Sequence, residues 1–261
     1  MDMKISGAGV LSGGEYEEVQ ISGSVKIEGG VRCRTFLGSG AVKGEGELSC
    51  EEKLVASGST EFDGSIRAGN ALVTGSLKCA ALSVEAEARL SGSVNLEGKL
   101  SGGDIWVSGG SLRAGEGIEA ESFHFSGSGY GPNTFGSKLD CEGLLNAETV
   151  KMTLGQGHYS VSAIGGGTVT VKGAKEEGPF SPFGGFPGFT PFGAPWGKPP
   201  QGSLNVTESI EADRVELENT VCPLVTGRTV KIGKGCKIGT VRYSESLDLD
   251  PKAQVEKQEK L

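Results

Sequence analysis

The sequence lacks the features by which many enzyme and membrane classes are recognised. Aromatic residues make up only 6% of the chain, and no apolar run approaches the roughly 18 residues that a membrane-spanning helix needs. Residues 1–11 hold one Lys and no apolar stretch of signal-peptide length, so we expect a cytoplasmic protein. The six cysteines show no CxxC spacing and are therefore expected to be reduced thiols, neither zinc ligands nor a redox pair.

Ligand-binding motifs are equally scarce. The net charge is -8 and no Lys/Arg cluster stands out, so nucleic acid is not an expected partner. Residues 193–199 lack P-loop spacing and the Ser or Thr after Lys, which argues against a nucleotide site. His124 and His158 lie in strand-like segments without an identifiable nucleophile, and we interpret both as wall residues. The sequence thus predicts no catalytic residue, no metal site and no cofactor.

Glycine is the most abundant feature, with 45 residues, yet there is no Gly-X-Y triplet that would indicate collagen. A Ser-Gly or Thr-Gly pair returns at intervals of 16 to 18 residues. A period this regular indicates one structural unit repeated along an axis. Its glycines are Gly7, Gly23, Gly40, Gly58, Gly75, Gly92, Gly109 and Gly127.

Each period predicts one coil of a parallel β-helix. Apolar and polar residues alternate over four to six positions, which is typical of a strand, and three short strands joined by glycine corners account for about 17 residues. We expect the Ser/Thr hydroxyls at the corners to bond local backbone beside left-handed glycines. Cys33 and Cys50 stand 17 residues apart at equivalent positions, so they should be neighbours in adjacent coils.

The same pattern sets the expected boundaries. Residues 1–127 form a first β-helix run, 128–143 a connecting loop, and 144–173 with 202–243 a second half. Residues 174–201 are a Pro/Phe-rich insertion, which cannot join a strand ladder because proline lacks the N–H donor. Residues 244–261 are expected to be a charged, flexible tail.

The insertion carries one candidate binding element. Phenylalanines stand at every third position, and polyproline II has three residues per turn, so the rings would line one face. An exposed apolar stripe of this kind is typical of a contact surface for a partner protein or a membrane. A simple linker is the alternative. The stripe comprises Phe180, Phe183, Phe186, Phe189, Phe192 and Trp196.

The coils between Ile5 and Ser126, with units such as Gly92-Ser93-Val94-Asn95-Leu96-Glu97-Gly98, resemble the bactofilins, a polymer-forming bacterial cytoskeletal family. The segments 210–220 and 230–239 are similar to the second half of longer members. This resemblance implies a right-handed parallel β-helix that polymerises end to end without nucleotide. It also implies a scaffold for membrane- or cell-wall-associated proteins, located in the cytoplasm at the inner face of the membrane.

Two other functions stay open at this point. Ile232-Gly233 followed by Ile238-Gly239 is one hexapeptide step of the type used by left-handed β-helix acyltransferases, although this stretch holds no histidine. A secreted β-helix adhesin is the second alternative. Unlike either of them, a scaffold needs its coil ends to pair with another copy, because unpaired strand edges must be capped, covered or paired.

Overall fold

The described part of the protein is a single parallel β-solenoid. The computed structural model describes residues 1–127, 136–174 and 202–261. These residues form about 13 coils, and every strand pairing among them is parallel. The β-helix predicted from the repeat is confirmed. The strands are β1 (Met3–Ile5), β2 (Gly9–Ile21), β3 (Ser24–Gly38), β4 (Ala41–Gly44), β5 (Leu48–Ala56), β6 (Ser59–Phe62), β7 (Ile66–Val73), β8 (Ser76–Cys79), β9 (Leu82–Leu90), β10 (Ser93–Leu96), β11 (Lys99–Ser108), β12 (Ser111–Ala114), β13 (Gly117–Ser126), β14 (Ser137–Leu154), β15 (Gly157–Gly173), β16 (Leu204–Leu217), β17 (Thr220–Ile232), β18 (Lys237–Leu249) and β19 (Gln254–Lys260).

Each coil has three faces. In the third coil, β4 forms the first face, and β5 forms the second face and, after a bend, the third. Side chains alternate between the interior and the surface, as the pleat of a strand requires. One interior column on the third face runs through every coil and stays almost wholly apolar, and it contains Ile5, Ile21, Gly38, Ala56, Val73, Leu90, Val107, Phe125, Met152, Val171, Leu217, Ile232 and Leu249.

The register predicted from the cysteines is also confirmed. Cys33 pairs directly with Cys50 in the next coil, both are buried, and their Sγ atoms lie 3.7 Å apart. Adjacent apolar residues recur before the Ser-Gly or Thr-Gly pair, such as Leu72 and Val73, and the two do not both point inward. Val73 is buried while Leu72 is half-buried on the surface.

The corner that leads from the third face to the next first face carries the glycine repeat, and we call it the glycine corner. A Cβ on Gly75 would lie 2.6 Å from the Ser57 carbonyl oxygen and closer still to that of Gly58. Glycine is therefore needed because successive coils approach closely here, which is a packing requirement. The expectation of left-handed glycines was wrong for most of this column, since positive φ angles occur only in the coil that has the extra residue, at Gly109 and Gly110.

Both expected interruptions leave the stack at the glycine corner. Residues 128–135 and 175–201 fall outside the description, but the ladder continues across each gap, with Phe125 paired to Met152 and Val171 to Leu217. The described residues therefore form one continuous stack. The predicted connecting loop 128–143 is too long, because β14 already begins at Ser137 and alternates buried with exposed side chains.

The predicted flexible tail 244–261 is also wrong. β18 continues to Leu249 and β19 adds a further paired strand, with Ile238 opposite Val255. The segment looks polar because its charged residues occupy surface positions, while Leu247, Leu249 and Val255 pack against the core.

Surface ion pairs follow the ladder. Arg34 contacts Glu17 in the coil before it and Glu52 in the coil after it, at 2.9 and 3.9 Å. Each exposed pair contributes little free energy, but together they favour one register between coils. None of the described elements is a helix, so this part of the chain contains no helix that could cross a membrane.

Candidate functional site

The candidate stripe of Phe180, Phe183, Phe186, Phe189, Phe192 and Trp196 lies outside the described residues. The strand ends that flank the insertion are described. Ala174 donates a backbone hydrogen bond to the Leu154 carbonyl at 2.8 Å, and Gly202 donates one to the Gly155 carbonyl at 2.9 Å. The two ends of the insertion therefore leave from and return to neighbouring positions at the glycine corner.

The third face carries an aromatic feature that we call the ring platform, formed by one outward column: Leu72, Arg89, Trp106, His124 and Lys151. Trp106 is 45% exposed. Its ring stacks on the His124 imidazole in the next coil, with ring centroids 3.9 Å apart and planes within 8°. Because in-register strands place equivalent side chains directly above one another, the coil repeat itself holds the two rings together.

The environment of His124 favours the neutral imidazole. Partial burial against the Trp106 ring lowers the pKa of His124, and the nearby Lys151 ammonium lowers it further, whereas Asp104 opposes this shift. The geometry suits a ring that packs and stacks.

A shallow groove of about 610 Å³ runs along the ring platform. Its corner side is a row of hydroxyl residues, one per coil, and its floor includes Leu90, Val107 and Phe125. The hydroxyl row comprises Ser91, Ser108, Ser126 and Thr153. The Ser91 hydroxyl bonds the solenoid backbone, because its Oγ donates a hydrogen bond to the Val73 carbonyl of the previous coil at 3.5 Å. The groove therefore combines an exposed aromatic edge with polar borders.

A second groove, of about 620 Å³, lies on the second face of the later coils and is floored by Gly165, Gly166 and Gly167. Its acidic side chains do not form a metal centre. Within the three described ranges, no group of three or more His, Cys, Asp or Glu residues is placed to hold a metal ion.

The cysteines are core residues. Burial raises the pKa of Cys79 to about 12 and that of Cys141, Cys222 and Cys236 to about 11. The hydrogen bond with Cys33, together with burial, raises the pKa of Cys50. Protonated thiols in this state are poor nucleophiles and poor metal ligands.

The ends of the described stack are the third candidate. At one end, β1 and the first half of β2 have no strand on their outer side within the described chain; at the other, the same holds for β19 and the end of β18. Met3 and Ile5 at the first end are only partly buried, as are Leu247, Leu249 and Val255 at the second. Both ends thus present backbone edges beside apolar side chains.

The sequence pattern contained a signal for the ring platform that the histidine interpretation missed. Trp106 stands two residues before Ser108, and His124 two residues before Ser126. Equal distance from the repeated Ser places both residues in one outward column. Two residues that stand at the same distance from the repeated Ser in successive coils are therefore predicted to be neighbours in one column.

Comparison with known proteins relates the chain to relatives whose names state no activity. It is 36% identical to "Uncharacterized protein YhbF" of Bacillus subtilis (strain 168) over 119 residues, which are 46% of this chain and 42% of that protein. It is 48% identical to "Uncharacterized protein YhbE" of the same organism over 54 residues, 21% of this chain and 23% of that protein. The chain thus spans less than half the length of the curated relatives it matches. No family model and no solved structure matches it.

Proposed function

We propose that this protein is a cytoskeletal scaffold of the bactofilin type, which assembles end to end without nucleotide and positions envelope-associated proteins at the inner face of the membrane. Its main partner is then a second copy of itself. A structural role agrees with the packing role of His124 and with the raised pKa of five of the six buried cysteine thiols. Catalysis would instead need an activated nucleophile or base.

The observation that carries this proposal is the register of the two ends. The interior column that ends at Leu249 begins at Ile5, and the column that ends at Val255 begins at Leu11. A second copy stacked along the axis would continue both columns with apolar residues. It would also pair the backbone edges that a solitary stack leaves open.

Surface charge agrees with the same register. Lys4 begins the outward column of the third face and Asp248 ends it, and both are exposed. Stacking two copies in register would place Asp248 of one beside Lys4 of the next. A coil-on-coil contact of this kind is heterologous and does not close into a ring, so it generates filaments.

The test is assembly of the purified protein without nucleotide, followed by sedimentation and negative-stain microscopy. Asp248→Lys and Lys4→Asp each replace an exposed attraction by a repulsion at the contact, and the critical concentration should rise by about threefold. The double variant Asp248→Lys/Lys4→Asp restores opposite charges and should assemble like the parent. A protein that stays monomeric throughout a concentration series would refute the scaffold. A critical concentration that is unchanged in both single variants would refute this register.

A further inference from the structure

The ring platform exposes an aromatic side chain on the third face of the described stack. Trp106 is one of the few large apolar residues that are substantially exposed in the described chain, and the half-buried Leu72 lies two coils away in the same column, with Arg89 between them. Exposed aromatic surface in a groove is typical of a contact site. We therefore consider which molecule or segment occupies this groove.

We propose that the occupant is the Phe-rich part of this same chain, residues 178–200, which docks in the groove along the ring platform. The base of the insertion lies at one end of the groove, which supports this occupant. Thr153 lines the groove, and the next residue, Leu154, accepts the hydrogen bond from Ala174 at the base of the insertion. The insertion therefore begins and ends where the groove ends.

The insertion is also long enough to reach Trp106. Trp106, His124, Lys151 and Thr170 are successive members of one column, so Trp106 lies three coil steps, about 14 Å, from the coil where the insertion leaves. The insertion has 27 residues between Ala174 and Gly202. Half of that length, extended, reaches about 40 Å, which is more than enough to pass over Trp106 and return.

The residue composition of the insertion suits an aromatic groove. The segment holds five phenylalanines and Trp196 and no charged residue before Lys198, so it matches an aromatic groove. Lys175, Glu176 and Glu177 precede it and carry one net negative charge, and the exposed Lys151 borders the ring stack on the side of the insertion. Opposite charges at the base and apolar rings farther along match the order of residues on the platform.

The chain permits a direct measurement, because it contains only two tryptophans. In a Trp196→Phe background, which keeps an aromatic ring at that position, all tryptophan fluorescence comes from Trp106. Deleting residues 178–200, or changing Phe183, Phe186 and Phe189 to Ser, should raise the acrylamide quenching constant of Trp106 about twofold, because a covered ring becomes exposed. Circular dichroism of each variant establishes that the solenoid is folded.

A matched control is the deletion of residues 129–134, the shorter segment that leaves the same corner next to Gly127. This deletion should leave the quenching constant unchanged. An increase in this control alone would give the groove to the shorter segment and overturn the proposal. So would quenching that is equal in all variants.

Docking within one chain also requires that quenching does not change on dilution. Shielding that disappears on dilution would assign the groove to a neighbouring copy and refute docking in cis. The measurement is made below the assembly concentration, so its outcome does not depend on whether the scaffold function holds.

Discussion

The close approach of backbones at the glycine corner gives the sharpest stability prediction. In Gly75→Ala, the new methyl group would lie 2.6 Å from the Ser57 carbonyl oxygen and nearer to that of Gly58. An ordinary contact is about 3.4 Å or more, so the coils would have to separate locally by about 1 Å. Ser76 donates to the Gly58 carbonyl at 2.8 Å and Thr74 to the Ala56 carbonyl at 3.0 Å, and such a separation weakens both hydrogen bonds.

Two hydrogen bonds at about 1 kcal/mol each, plus overpacking strain of about 1–3 kcal/mol, oppose a gain of about 0.5–1 kcal/mol from the less flexible unfolded chain. The expected net loss is about 3 kcal/mol. For a chain of this size that lowers the thermal midpoint by about 10 °C.

The matched control is Gly7→Ala in the same column. A Cβ on Gly7 meets nothing within 4 Å, so this variant should unfold at or slightly above the midpoint of the parent. Both midpoints come from thermal unfolding followed by circular dichroism, at a concentration where the protein is monomeric. Equal midpoints for the two variants would contradict the requirement for close approach.

Two further predictions concern buried polar groups. Thr60→Val removes a buried hydroxyl that has no hydrogen-bond partner and should raise the free energy of unfolding by about 1 kcal/mol. Thr220→Val removes a hydrogen bond to the Glu218 carbonyl at 3.0 Å and should lower the free energy of unfolding by about 1 kcal/mol. Denaturant unfolding of both variants tests whether the two changes have opposite signs. The thiols of Cys79, Cys141, Cys222 and Cys236 predict pH dependence: burial raises their folded-state pKa, so their contribution is fully present below about pH 8.5 and is lost as pH rises toward 11, at about 1.4 kcal/mol per pH unit for each of these four thiols. Denaturation midpoints at pH 7, 9 and 10 should therefore fall, and Cys141→Ala should make the fall shallower; an identical slope in that variant would contradict this assignment.

The coil repeat could be predicted from the sequence because each coil obeys the same constraint. A glycine that allows close approach and an alternation that fills a narrow core recur together, and they placed Cys33 opposite Cys50 correctly. The reason for the glycines could not be read from the pattern. Left-handed backbone and close approach both favour a residue without Cβ, and only the three-dimensional structure distinguishes them.

The errors arose where composition outweighed alternation. Residues 244–261 are rich in charge, yet their apolar residues fall at interior positions and their charged residues at the surface. Residues 137–143 follow a glycine-rich stretch but alternate in the same way. The ring platform needed one further step, because a stacked Trp and His become visible only when outward residues are aligned by coil.

The shared corner of the two insertions has a consequence for the assembled state proposed above. About 13 coils at 4.8 Å per coil give the described stack a length of about 60 Å. Copies stacked in register would carry their insertions along one side of the filament at that repeat. A partner with two or more matching sites would then bind with avidity, since the second contact is intramolecular.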